Sequence, residues 1–154
     1  MTMQKAVVVA ALAFATTALA AEKAKHFVST AAADVKWGDV KDIPELKHAV
    51  VEGDATKGPH HSMMKFAAGF ASPLHHHSSD HHVVVVQGTL VLTVDGVETK
   101  LPAGSYFSLT KKQPHATKCE AGTDCILFLD VRGKWDVVAP KEKKEDAKPA
   151  PAAK

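Results

Sequence analysis

Five of the eight residues from His75 to His82 are histidines, and they run directly into the β-branched stretch Val83 to Val86. Neutral imidazole is the commonest protein ligand for transition metals, and a valine run reads as a strand, so the pattern points to a metal centre on a sheet. His75 and His77 are two apart, which on a strand places both side chains on one face. His81 follows after a turn, and His115 comes about one hairpin and one strand later, where a neighbouring strand can bring it in. His75, His77, His81 and His115 are therefore the candidate ligands of one ion. His76 points away by the same alternation and His82 is out of phase with His81, so both are expected outside the ligand set. Asp80 is an alternative carboxylate, either orienting His81 or binding in its place.

Other polar residues carry weaker signals. His60 and His61 precede an expected strand and could line the mouth of a barrel or sit in a solvated loop; His26 and His48 read as ordinary surface histidines. Met63, Met64, Phe66, Phe70, Tyr106 and Phe107 are expected in the core, with Tyr106 also able to donate a hydrogen bond to a ligand. Asp130 and Asp136 are the only carboxylates late in the folded part. No paired general acid and base, no Ser-His-Asp arrangement and no phosphate loop stands out, so any catalysis rests on the metal.

The elements that must position these residues are strands. Thr89 to Val94 alternates, Asp95-Gly96 is a two-residue hairpin turn, and Val97 to Leu101 alternates on the way back. Further strands are expected at Ser62 to Ala67, Ser105 to Thr110, His115 to Cys119 and Ile126 to Val131, punctuated by Gly88, Gly104 and the loop from Lys111 to Pro114. With no convincing amphipathic helix, this spacing predicts an all-β sandwich or small barrel. The less regular segment Lys25 to Lys57 holds Trp37, Val40, Ile43, Leu46, Val50 and Val51, which are expected to supply edge strands and part of the core.

A chain of 154 residues holds one domain of ordinary size. Met-Thr-Met-Gln-Lys5, the apolar run Ala6 to Ala15 and the small-x-small triplet Ala18-Leu19-Ala20 read as a signal peptide over residues 1–20, cleaved after Ala20. A stable membrane anchor needs roughly 20 apolar residues without such a site. Export, to a bacterial periplasm or out of the cell, is the expectation. From Pro140 the chain is Lys, Ala and Pro with Glu and Asp, which cannot offset its ordering entropy, so residues 140–154 are expected to be a disordered tail. The folded unit is placed at residues 25–139. A formal net charge of +2 argues against a nucleic-acid partner. The two cysteines, Cys119 and Cys125, flank a short loop, which in an oxidising compartment reads as a disulfide; two free thiols near a metal are the alternative.

The spacing also resembles a known family. Gly69, five residues, His75, one residue, His77, three residues, His81, six residues and Gly88 reproduces the first motif of the cupin superfamily, Gly-x5-His-x-His-x3,4-Glu-x6-Gly, with His81 in place of the Glu. The second motif, Gly-x5-Pro-x-Gly-x2-His-x3-Asn, falls on Gly104, Thr110, Lys112, His115 and Cys119, where only Gly104 and His115 are retained. Gly69-Phe70-Ala-Ser-Pro73-Leu-His75-His76-His77, Gly88-Thr89-Leu90, the Cys119 to Cys125 loop and Gly133-Lys134-Trp135-Asp136-Val137 are similar to small secreted single-domain cupins of uncharacterised function. The resemblance covers about Gly58 to Val131. It implies a single jelly-roll β-barrel or sandwich, a bound divalent transition metal, and often a homodimer; it does not imply a reaction.

The ion could be zinc, iron, nickel, copper or manganese. Replacing a carboxylate by His81 gives a neutral, softer site, which shifts the expectation toward zinc, nickel, copper or ferrous iron. Two functions are open, the first drawn from what cupins with intact sites commonly do. One is a metal-dependent enzyme of oxygenase or isomerase type acting on a small organic molecule; the other is a non-catalytic exported protein that binds a metal or a small-molecule ligand. A closed zinc site that only pins the barrel is a third reading.

Overall fold

A computed structural model describes residues 27–140. The expected signal peptide, His26 and the tail beyond residue 140 lie outside the described residues. After a single 3-10 turn at Ala32–Asp34 come nine strands: β1 (Gly38–Val40), β2 (Ile43–Gly53), β3 (His60–Phe66), β4 (His81–Gln87), β5 (Thr89–Val94), β6 (Val97–Pro102), β7 (Tyr106–Leu109), β8 (His115–Cys119) and β9 (Cys125–Val131). Six of them form one sheet in the order β1-β2-β3-β9-β4-β7, and β6-β5-β8 form a second. All paired strands are antiparallel. The fold is all-β, a jelly-roll sandwich, as the sequence predicts.

Strand alternation builds the core. In β3 residues His60, Ser62, Met64 and Phe66 are buried and the residues between them are not, and in β9 the same holds for Cys125, Leu127, Leu129 and Val131. Register aligns these rows: His60 and His81 both pair with Val131, and Val83 and Ser62 both pair with Leu129. Leu90 from the small sheet closes the core at 0% exposure. The irregular segment before residue 57 contains an 11-residue strand, β2, whose Leu46 enters the core. Its pairing with β3 shifts between Val50 and Glu52, and Val50 is left exposed. Two expectations fail on the outer face of the large sheet. Tyr106 is 59% exposed, its hydroxyl bonded to His82 Nδ1, and Met63 points outward by the same alternation that buries Ser62 and Met64.

Gly88 is where the chain passes from one sheet to the other. Its φ is +80°, and an added Cβ would stand 2.9 Å from both Asp124 O and Cys125 Sγ. Cys119 and Cys125 are joined by a disulfide across the β8-β9 turn, with both residues buried. Among the described residues no helix is long and apolar enough to cross a membrane.

Two stability measurements follow. Gly88→Ala combines a left-handed backbone with a clash against main chain, and should lower unfolding free energy in urea by about 2 kcal/mol or more. Replacing Cys119 and Cys125 together by Ala should cost about 2 kcal/mol through loop-closure entropy, with reductant producing the same loss in the unaltered protein and none in the variant.

Candidate metal centre and its cavity

Each histidine of the expected set is placed by a different piece of backbone. Residues 69–76 run along β8 as an irregular extra strand, and His75 and His115 exchange both main-chain hydrogen bonds, 2.9 and 2.8 Å. His77 lies just beyond, its carbonyl accepting Lys112 N at 2.7 Å. His81 opens β4, paired on one side with Leu109 of β7 and on the other with Val131 of β9. All four side chains are buried.

The rings of His75, His77 and His115 converge, one ligand nitrogen from each lying within 4.8 Å of the others. Opposite donors around an ion with bonds of about 2.1 Å are separated by about 4.2 Å, so modest ring rotations suffice. His81 stands beside this trio, its ring centroid 4.8 Å from that of His77 and 5.9 Å from that of His115. His76 turns away and exchanges main-chain bonds with Val138, and His82 lies on the outer face with Tyr106.

Nδ1 of every ring in the set faces a backbone carbonyl. His75 donates to Pro73 O at 2.8 Å, His115 to Gln113 O at 3.0 Å, His81 to Ser79 O at 3.4 Å and His77 to Asp136 O. A carbonyl only accepts, so each neutral ring carries its proton on Nδ1 and presents the Nε2 lone pair. Fixing the tautomer in this way is what metal-binding histidines require. Three of the carbonyls lie two residues before their own histidine, whereas His77 depends on a distant segment. The 3.4 Å contact leaves His81 the least firmly held.

That distant segment, residues 132–138, crosses the end of the sandwich. Asp136 Oδ1 accepts Ser78 N at 2.8 Å, Lys134 O accepts the Ser79 hydroxyl at 2.9 Å, and Trp135 N reaches Ala55 O at 2.9 Å. A Cβ on Gly133 would collide with the Ser79 hydroxyl. The Trp135 ring stacks on His77, centroids 4.1 Å apart, and meets His81 edge-on.

Sequence reasoning missed this strap as part of the site. Trp135 follows the last strand with no periodicity to mark it, and Asp136 acts mainly through its main-chain oxygen, which no residue type signals. His48 is not a surface histidine: its ring lies against Trp135, and its Nε2 is buried without a hydrogen-bond partner. His60 starts β3 at 4% exposure and bonds Gly58 O and Gly133 O, so it is neither a loop residue nor part of the trio. Asp80 does not reach His81 as an orienter; its carboxylate accepts Lys111 N at 2.6 Å and its carbonyl accepts Arg132 N, which ties two loops together.

Beside the rings lies a cavity of about 120 Å³. Leu46, Met64, Phe66, Phe107, Leu127 and Leu129 form much of its wall, and among the described residues lining it there is no Asp, Glu, Lys or Arg. Burial is the largest cause lowering the basicity of all four histidines, and neighbouring histidines lower it further. His77 falls to about 3 and His115 to about 4. The rings are therefore neutral near pH 7 and free to donate lone pairs. Because an unfolded chain binds these protons at about pH 6.5, stability of the metal-free protein is complete above that pH and declines as pH falls toward 4. Thermal midpoints measured from pH 7 to pH 4 should fall steadily, and His77→Gln should flatten the decline.

Residues 62–132 match the cupin domain family. No protein of curated function matches the chain closely in sequence. Among solved structures, KdgF from Halomonas sp. is 20% identical with a TM-score of 0.57, over 67% of this chain and 91% of that one. The polyketide cyclase RemF from Streptomyces resistomycificus is 17% identical with a TM-score of 0.63, over 77% and 89%. The DMSP lyase DddQ from Ruegeria pomeroyi is 16% identical with a TM-score of 0.58, over 72% and 70%. At these identities the likeness shows the fold. The matched segment, the paired jelly-roll sheets and the inward histidines of the first motif agree, and residues 62–132 form a cupin domain.

Proposed function

We propose that the protein binds one divalent transition metal through Nε2 of His75, His77 and His115, with His81 as a fourth and weaker ligand, and that this centre acts on a small organic molecule held in the adjoining cavity. The observation that carries the reading is the convergence of three buried imidazoles whose Nδ1 atoms are already committed to carbonyls. Donor chemistry fits: four neutral nitrogens suit zinc, nickel, copper or ferrous iron better than manganese. When bound, such an ion supplies Lewis acidity and, at an open position, a site for an oxygen donor. Apart from the imidazoles, the described cavity wall has no side chain able to move a proton near neutral pH.

Enzymes such as a polyketide cyclase and a DMSP lyase share the fold, which is compatible with catalysis and transfers no reaction. A non-catalytic binding role is favoured by one observation, the lack of any carboxylate among the described residues of the cavity wall. Turnover against a panel of small oxygenated molecules separates the two. Export fits the disulfide, which persists in oxidising compartments.

Metal content by mass spectrometry after dialysis should be one ion per chain. His77→Ala should abolish it, His81→Ala should weaken affinity about 10-fold, and His76→Ala or His82→Ala should leave it unchanged. Equal losses at His76 and His77 would mean an unstructured chelating tract and end the proposal.

A further inference from the structure

The cavity is chemically one-sided. Strand register puts the imidazoles at one end: His81 is level with Val131, while Leu127 lies four residues along β9, about 13 Å away. Phe66, paired with Cys125, is level with a point two residues further. The only hydroxyls on the described wall, Ser72 and Thr117, are bonded to each other at 3.1 Å, and the Ser72 hydroxyl also accepts Thr117 N at 2.9 Å. Away from the imidazoles the described wall holds no charged side chain, and this mutually bonded pair keeps only one hydroxyl hydrogen unused between its members. Burial of an ionised group there would go uncompensated.

Size and shape narrow the choice further. A volume of about 120 Å³ is near the roughly 150 Å³ at which an apolar protein cavity accepts one benzene. Phe66, Phe70, Phe107 and Trp135 bring flat faces and edges to the space, with Phe66 and Phe70 stacked at 5.5 Å, and aromatic walls favour a planar guest. At the other end, four neutral nitrogens leave an ion's charge to be balanced by the ligand.

From these features we infer that the ligand is a one-ring aromatic compound with a single oxygen-bearing head, a phenol, enol or carboxylate, directed at the imidazoles, and an uncharged hydrocarbon body in the cavity. The head rests on the metal reading above; the body rests on the cavity alone. Compounds charged at both ends, such as dicarboxylates, are refused.

Calorimetric titration separates the parts. Benzene should bind the metal-free protein, and its failure to bind would overturn the hydrocarbon-body inference. Metal-loaded protein should bind phenol and 4-methylbenzoate, and bind terephthalate, nearly the same shape with a second charge, at least 10-fold more weakly; equal affinities would overturn the exclusion. Ile43→Trp and Phe70→Trp, both at half-buried wall positions, should weaken phenol at least 10-fold while keeping one ion per chain, and retained phenol affinity in both would place the ligand elsewhere. Benzene binding by a protein that takes up no metal would support the cavity inference and sink the metal reading instead.

Discussion

The site depends on imidazoles being buried where they cannot be charged, each with one nitrogen tied to main chain. Sheet interiors exclude water, and that exclusion is the largest cause that pushes His77 and His115 far below the usual histidine range. A carbonyl on each Nδ1 satisfies one side of the ring without adding charge. The remaining nitrogens point inward as uncommitted lone pairs. Four adjacent groups that would repel if protonated can be packed together only under this arrangement, which makes burial and donor chemistry a single constraint.

Strand positions after residue 60 and the convergence of His75, His77 and His115 were largely legible in the chain because both follow from periodicity. The two-residue spacing of His75 and His77, the turn glycines and the β-branched runs each have one geometric meaning. His60 and Ser62, buried in the same alternating row as Met64 and Phe66, show the limit of that legibility. Ser62 opened an expected strand, while the polarity of His60 left a barrel mouth or a solvated loop open, and register with β9 brought it into the strand as well. Tyr106 shows the converse, since an aromatic residue in a short edge strand was set outward by the phase of its neighbours. The strap carried only the family resemblance of Gly133 to Val137; its bond to His77 was illegible because it runs through a main-chain carbonyl, which has no sequence signature.

A histidine where the family motif has a carboxylate changes the electrostatics of the site and leaves its architecture intact. His81 occupies its place at the start of β4, paired on both sides, so the backbone is fixed whichever side chain stands there. What changes is charge. With Asp80 turned to Lys111 N and Asp136 to Ser78 N, the nearby carboxylates serve main-chain amides and leave the interior without an anion.

The strap that receives the His77 proton is also the last part of the described fold in chain order. Proteins emerge from the ribosome amino-terminal end first. All four imidazoles and both sheets are thus synthesised before Asp136 arrives to set the tautomer of His77 and Trp135 arrives to cover it. Completion of the centre waits on the segment after β9, so an abortive product ending at β9 would retain all four histidines yet lack the part that orders one of them.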